Sequence, residues 1–297
     1  MNRIIYHGDN LPVMRSMPPG SIDLIATDPP YGKGKAWDGG RDAQDVSFDD
    51  SYVSSDYVAP TDARLGRLVS LAVELAGENV AGYLGFMAPR LIEMRRLLSP
   101  HGSIYVQCDH TAGHYLKLLM DAIFGAGRLR NEIVWCYTGP GTLARQFSRK
   151  HDIILWYAKG DTWVFNRDEV RVPHKEPLHG AFGLGKPSEE RSLMGKILED
   201  WWDDCSPVGR IVNELTGWPT QKPLSLYRRI IKASSNEGDV VLDPFAGSGT
   251  TLAAAEQLGR RWAGIEQQDV SVARDRLQHE VTASMAWGEQ VEIKEAA

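Results

Sequence analysis

The chain of 297 residues is poor in several things, and each shortage excludes a class of protein. It has three cysteines, Cys108, Cys136 and Cys205, odd in number and scattered. They form neither a disulfide framework nor a zinc pattern, so buried thiols in a reducing cytoplasm are expected. No apolar run approaches the roughly 20 residues of a membrane span, and the opening Met1-Asn2-Arg3 does not read as a signal peptide. No membrane partner is therefore expected. The eight histidines show no metal-ligand spacing. His110 and His114, four apart, read as a surface pair at a helix start, and no metal is expected. Positive charge is also short, at a formal net −6. On its face that argues against a polyanionic partner. Its distribution argues the other way: residues 128–232 carry 17 Lys and Arg against 13 Asp and Glu, a balance of +4, and the rest carries 16 against 26, or −10. A basic middle on an acidic scaffold suits contact with phosphates through one segment.

What is present is ordinary for a globular enzyme, with 42% hydrophobic and 24% charged residues. Short apolar runs alternate with helical periodicities. Strands are expected at residues 3–7, 21–27, 102–108, 132–137, 152–157, 239–242 and 262–265. Helices are expected from Asn10, as cap, to Met17, and over 82–98, 111–124, 224–233, 250–258 and 270–281. A further helix follows from Leu65, Leu68, Val69, Ala72 and Leu75. Pro89 should kink the 82–98 helix or delay its start. The tail past about residue 286 reads as frayed. Strands alternating with helices predict an α/β fold whose mostly parallel sheet is covered on both faces, with ligands at the C-terminal ends of its strands. Residues 32–62, with four glycines and seven aspartates, read either as a solvated acidic loop or as a mobile flap beside a site. From 159 to 218 periodicity is weak, and this stretch reads as a small separate module in which Trp201 and Trp202 supply core.

Two strings fall at strand ends. Asp243-Pro244-Phe245-Ala246-Gly247-Ser248-Gly249-Thr250 follows an apolar strand and opens a helix, so its backbone can pass close to a ligand. It lacks the third glycine of a dinucleotide fingerprint and the lysine of a phosphate-binding loop. Glycines are common in such turns, and a purely structural turn stays open. What favours a nucleoside is Glu266, ending the next strand where an acid accepts ribose hydroxyls. The other string is Asp28-Pro29-Pro30-Tyr31. An exocyclic amino group on a base is a weak nucleophile because its lone pair is delocalised into the ring. A carboxylate (Asp28) and a backbone carbonyl (Pro29 or Pro30) that accept its two N–H bonds free that lone pair, and proline rigidity fixes their aim. Tyr31 offers a ring face for stacking, worth roughly 1–3 kcal/mol.

On these strings the chain resembles the S-adenosylmethionine-dependent DNA amino-methyltransferases, in the permuted (beta-class) group whose catalytic tetrapeptide precedes the cofactor turn. The resemblance covers most of the chain. It includes Gly8-Asp9-Asn10-Leu11, residues 102–106, 130–135 and 147–152, and the run Thr216 to Leu224. It implies a Rossmann-like methyltransferase fold with a mostly parallel seven-stranded sheet, helices on both faces and a small inserted recognition module. Residues 1–158 would carry the catalytic motif, 159–218 target recognition and 219–297 the cofactor-binding part. The implied activity is site-specific methylation of the N6 amino group of adenine in a flipped-out base. In the family a serine in place of Asp28 is commoner for cytosine-N4 methylation, which stays as the alternative. So does a catalytically silent nucleic-acid binder of the same fold. The resemblance assigns Asp28, Pro29, Pro30 and Tyr31 to catalysis. The cofactor falls to Asp9, Thr220, Lys222, Asp243, Phe245, Ala246, Gly247, Ser248, Gly249, Thr250 and Glu266. Within that set, Asp9 would meet the adenine amino group, and Thr220 with Lys222 the methionine carboxylate. Arg145, Arg149 and Lys150 are the candidate DNA contacts. The implied partners are double-stranded DNA, a second copy of the chain and a companion restriction endonuclease, in a bacterial or phage setting. A missing Pro-Cys nucleophile argues against carbon-5 cytosine methylation, and a missing His/Cys/Cys set against a zinc deaminase.

Overall fold

A computed structural model of the chain describes residues 2–31, 36–37, 48–49, 62–139, 141, 143–174, 194–210, 214–284 and 291–296. Most of the 32–62 stretch lies outside them, apart from a two-residue ladder of β3 (Ala36–Trp37) with β4 (Phe48–Asp49).

The remaining strands are β1 (Ile4–His7), β2 (Ile22–Thr27), β5 (Leu98–Cys108), β6 (Leu129–Cys136), β7 (His151–Ala158), β8 (Trp201–Trp202), β9 (Val240–Asp243), β10 (Arg261–Glu266) and β11 (Glu292–Glu295). They form one sheet in the order β11-β1-β10-β9-β2-β5-β7-β6-β8. Only β7 runs against its neighbours. The expected seven strands are its core, and β8 and β11 add a short strand at each edge. Part of the tail is thus an ordered edge strand on β1 and not frayed. Its placement depends on tertiary pairing, which local composition does not report.

Side-chain alternation explains why the runs are so apolar. In β2, Ile25 enters one core while Leu24 and Ala26 enter the other, and an irregularity between Ile22 and Leu24 returns Ile22 to the first; in β7, Ile153, Leu155 and Tyr157 face away from Ile154 and Trp156. The first core is closed by α1 (Asn10–Ser16), α2 (Ala63–Ala76), α3 (Glu78–Leu97) and α4 (Gly113–Phe124). The second is closed by α5 (Leu224–Ser234), α6 (Thr250–Gln257) and α7 (Ser271–Ser284). A sheet covered on both faces needs apolar residues at every position.

Several details differ from expectation. Asp9, not Asn10, caps α1: its side chain accepts from the Leu11 amide, while Asn10 is buried and donates to the Pro244 carbonyl. Helix α3 starts earlier than expected and runs through Pro89. Leu75 is 66% exposed, because the apolar stripe of α2 is narrower than its spacing implied. Trp202 is buried but Trp201 is half exposed, since β8 lies at the sheet edge. Cys136 is only half-buried. Among the described residues no helix is long and apolar enough to cross a membrane, and no cluster of His, Cys, Asp or Glu is placed to hold a metal ion.

Candidate active site

The chain leaves β9 toward β10 on one side and leaves β2 toward β5 on the other, so β9 and β2, adjacent in the sheet, form a switch point. Open sheets bind ligands outside the strand ends at such a point. Both strings end there. The joint is locked by Asp243, whose carboxylate accepts from Thr27 (2.7 Å), from Thr251 at the start of α6 (2.6 Å) and from the Phe245 amide (3.1 Å). Thr27 and Asp243 are 216 positions apart along the chain. Burial pushes the Asp243 carboxyl up to about 6, with its three donors pulling the other way. Among the predicted cofactor residues, Asp243 thus acts first as a cross-link between β2, β9 and α6.

An open cleft of about 360 Å³, counted out to solvent, lies over this joint. Its walls include Asp28, Thr220, Lys222, Asp243, Phe245, Ala246, Gly247, Ser248 and Thr250 of the predicted set, together with Trp218 and Tyr227. Gly247 (φ +48°) and Gly249 (φ +73°) hold left-handed backbone, and a Cβ on Gly247 would sit 3.1 Å from the Trp218 indole nitrogen. Thr220 also has positive φ, at 64°, a strained conformation for a β-branched residue and one that clusters at functional sites. Glu266 lies behind the turn. Its carboxylate accepts from the Gly247 amide and the Gln268 amide, both at 2.8 Å. Burial raises its pKa against the pull of those amides. Aromatic and apolar walls, glycine backbone and a buried acid fit a nucleoside-bearing molecule in size and chemistry.

Asp28 follows Thr27 at the end of β2. Tyr31 donates its hydroxyl to Asp28 Oδ1 at 2.5 Å, and Lys222 donates its ammonium to Asp28 Oδ2. The same ammonium lies 5.3 Å from the centre of the Tyr31 ring. Burial raises the Asp28 pKa, and Lys222 and Tyr31 offset part of that rise. The tetrapeptide is therefore folded onto itself, with Pro29 buried behind it. Lys222, expected at the cofactor's carboxylate, lines the cleft but spends its charge on Asp28.

Asp9 is placed differently. It caps α1 and pairs with the buried Arg90 at 2.8 Å, and it is not among the cleft walls. Arg145 and Arg149 are exposed and Lys150 half-buried on the segment joining β6 to β7, at the strand ends flanking Asp28. Arg149 reaches His110 at 2.8 Å. Phe147 on the same segment is 99% exposed, an aromatic face among the cations that the charge pattern did not single out.

Three further polar residues at this rim carried no sequence signal as site residues: Gln107, next to last in β5, Asp152, second in β7, and Tyr137, following β6. Asp152 Oδ2 accepts from Gln107 (2.9 Å) and from Tyr31 (3.4 Å), and Oδ1 from Tyr137 (3.1 Å). A polar residue beginning or ending an apolar strand is a usable hint only once the strand order is known.

The N6/N4 family model described as DNA methylase matches residues 22–273. The chain is 31% identical over 283 residues to the type II methyltransferase M.HpaI of Haemophilus parainfluenzae, covering 94% of this chain and 76% of that one. It is 30% identical to the DNA adenine methyltransferase YhdJ of Escherichia coli (strain K12), covering 89% and 78%. Among solved structures, the M1.HpyAVI–SAM complex superposes with a TM-score of 0.55 at 23% identity, covering 92% of this chain and 98% of that one.

Proposed function

The chain belongs to the N6/N4 DNA methylase family, and from that premise we propose that it methylates the exocyclic N6 amino group of adenine in double-stranded DNA, with S-adenosylmethionine as methyl donor. The observation that carries this reading is Asp28, a half-buried carboxylate at the end of β2, forming one wall of a cleft whose other wall is the glycine turn. One group acts on the base and the other receives the donor.

S-adenosylmethionine, when bound, supplies an electrophilic methyl group on a sulfonium. The turn from Asp243 to Thr250 would hold it, with Glu266 behind, Trp218 and Phe245 alongside and Thr220 at the rim. Lys222, still paired with Asp28, and Asp9, once it releases Arg90, complete the assignment. Asp28 and the Pro29 or Pro30 carbonyl accept the two amino N–H bonds of a base turned out of the duplex, which returns the nitrogen lone pair to reactivity. Tyr31 orients Asp28 from one side and Lys222 keeps it ionised from the other. Positioning and polarisation do the work, without a covalent enzyme intermediate.

Aspartate at position 28 supports adenine over cytosine. Arg145, Arg149 and Lys150, on the loop beside the site, are assigned to DNA phosphates, and Phe147 adds a stacking face beside them. Residues 159–218 are assigned to target recognition within the 1–158 and 219–297 framework. A second copy of the chain and a companion endonuclease belong to the same reading; the endonuclease is in keeping with relatives named as type II methyltransferases.

The test is direct. Incubation with unmethylated DNA and isotopically labelled donor, digestion and mass spectrometry of the nucleosides should yield N6-methyladenine. N4-methylcytosine would move the specificity, and no labelled nucleoside at all would overturn the reading.

A further inference from the structure

Asp152 is a buried acid for which methyl transfer, as derived so far, has no task. It is 7% exposed and shares the Tyr31 hydroxyl with Asp28. Placing a second carboxylate so near the first is unfavourable, since like charges resist joint burial. With Lys222 the cluster brings together two carboxylates and one ammonium, an excess of one negative charge. Building on the reading above, we propose that Asp28, Tyr31, Asp152 and Tyr137 form a path that carries the proton released by the methylated base out to solvent.

The chemistry requires such an outlet. When the amino nitrogen forms its bond to the methyl carbon it becomes cationic and must lose one N–H proton. Asp28 is the nearest acceptor: the N–H bond breaks, its electron pair returns to nitrogen, and an O–H bond forms on Asp28. A base and a donor filling the cleft would shut Asp28 off from water. The 2.5 Å contact to Tyr31 is the way on. The proton on Asp28 passes to the Tyr31 oxygen as the Tyr31 proton passes to Asp152 Oδ2. Asp28 is then ionised again and Asp152 is neutral. Burial and the two adjacent carboxylates hold the Tyr31 pKa well above its ordinary value, so Tyr31 conducts the proton without resting as a phenolate.

The exit has the same form. The Tyr137 hydroxyl bonds Asp152 Oδ1 at 3.1 Å, and Tyr137 is half-buried, at the edge of the site. A half-turn of the neutral Asp152 carboxyl about its Cβ–Cγ bond carries the proton from the Tyr31 side to the Tyr137 side, and the Tyr137 hydroxyl turns its hydrogen outward. The Asp152 proton then passes to the Tyr137 oxygen as the Tyr137 proton leaves to water, and both carboxylates are again ionised. Gln107 can serve either state of Asp152. Its Nε2 donates to the carboxylate at 2.9 Å, while its buried Oε1 has no hydrogen-bond partner among the described residues. Turning the amide presents that oxygen to a protonated Asp152. A buried acceptor without a partner is costly, and the relay gives it a use.

The experiment is single-turnover methylation of unmethylated phage DNA with labelled S-adenosylmethionine, run in H2O and in D2O. Wild type, Asp152→Asn and Tyr137→Phe are compared, with donor affinity of each measured by calorimetry. Removing a proton-transfer group typically slows a reaction by about 10²–10⁴-fold, of which solvent access recovers part. Asp152→Asn should be at least about tenfold slower, with a rate ratio in H2O over D2O above about two and the donor Kd unchanged. Wild type should show a ratio near one, set by carbon–nitrogen bond formation. Tyr137→Phe should move in the same direction by less, and it carries the test if the Asn variant fails to fold. Variants as fast as wild type, slow with an unchanged isotope ratio, or weakened in donor binding would reduce Asp152 to a packing role and overturn the path. A wild type that methylates no DNA would instead strike the functional reading on which the path rests.

Discussion

Asp28 stands between opposing influences whose balance sets when it can work. Burial raises its pKa, the Lys222 ammonium lowers it, and the Tyr31 hydroxyl adds a second lowering contact. Accepting an amino N–H requires the carboxylate, so activity should rise with pH through a value above the ordinary carboxylate range. Lys222→Met removes the largest lowering influence. Asp28 then ionises at higher pH, and the acid limb of the kcat/KM profile should move upward. An unmoved limb would mean that Lys222 does not govern Asp28 in the working enzyme. Asp28→Ala, by contrast, should lose roughly two or more orders of magnitude in rate at every pH while donor affinity is kept. Near-normal turnover in that variant would sink the catalytic assignment. None of this pairing was legible in the sequence. Lys222 and Asp28 are 194 positions apart, and the motif around Lys222 pointed to the donor instead.

At the scale of elements, the glycine turn and the end of β10 act as one unit. The Gly247 amide donates to Glu266 Oε2, so the carboxylate expected to serve ribose hydroxyls also fixes the backbone that frames the cleft. Gly249 tightens the same unit: a Cβ there would meet the Ala273 Cβ at 3.2 Å, with φ already at +73°. Glu266→Ala removes both acceptors at once, leaving two amides without partners. Donor Kd by calorimetry should rise at least about tenfold, equivalent to about 1.4 kcal/mol, and an unchanged Kd would refute the role. The sequence made this unit legible because its parts are local: an apolar strand, a glycine turn, a helix, then a strand closing on an acid. Where pairing decides, local pattern is silent. β8 is two residues long and is a strand only because β6 lies beside it. β11 is polar and exposed and exists by pairing with β1. Asp152, Gln107 and Tyr137 converge only after β5, β7 and β6 are set side by side.

Across the whole molecule, the site exists because the sheet brings together ends that the chain keeps far apart, and Asp243 holds that junction. Three donors surround a carboxylate that is 3% exposed. They do not cancel the cost of burial, and the group titrates near 6 instead of its ordinary 3.8. In this window the folded chain binds a proton that the unfolded chain has already released. The contribution of Asp243 to stability is therefore fully present below about pH 4 and is lost as pH rises through about 6. A shift of about two units corresponds to at most about 3 kcal/mol. Asp243→Asn keeps the shape and removes the titration, while the Thr27 and Thr251 hydroxyls can rotate to accept from the new amide. Other carboxylates titrate in both proteins alike, so the difference between them isolates this one. Denaturant unfolding at pH 4, 5, 6 and 7 should show wild type losing stability relative to Asp243→Asn as pH rises, with most of the change between 4 and 6. A difference that stays flat over that range would mean that the carboxylate is already ionised at pH 4. The junction between β2, β9 and α6 would then be held by a charged acceptor, and its three donors would outweigh burial.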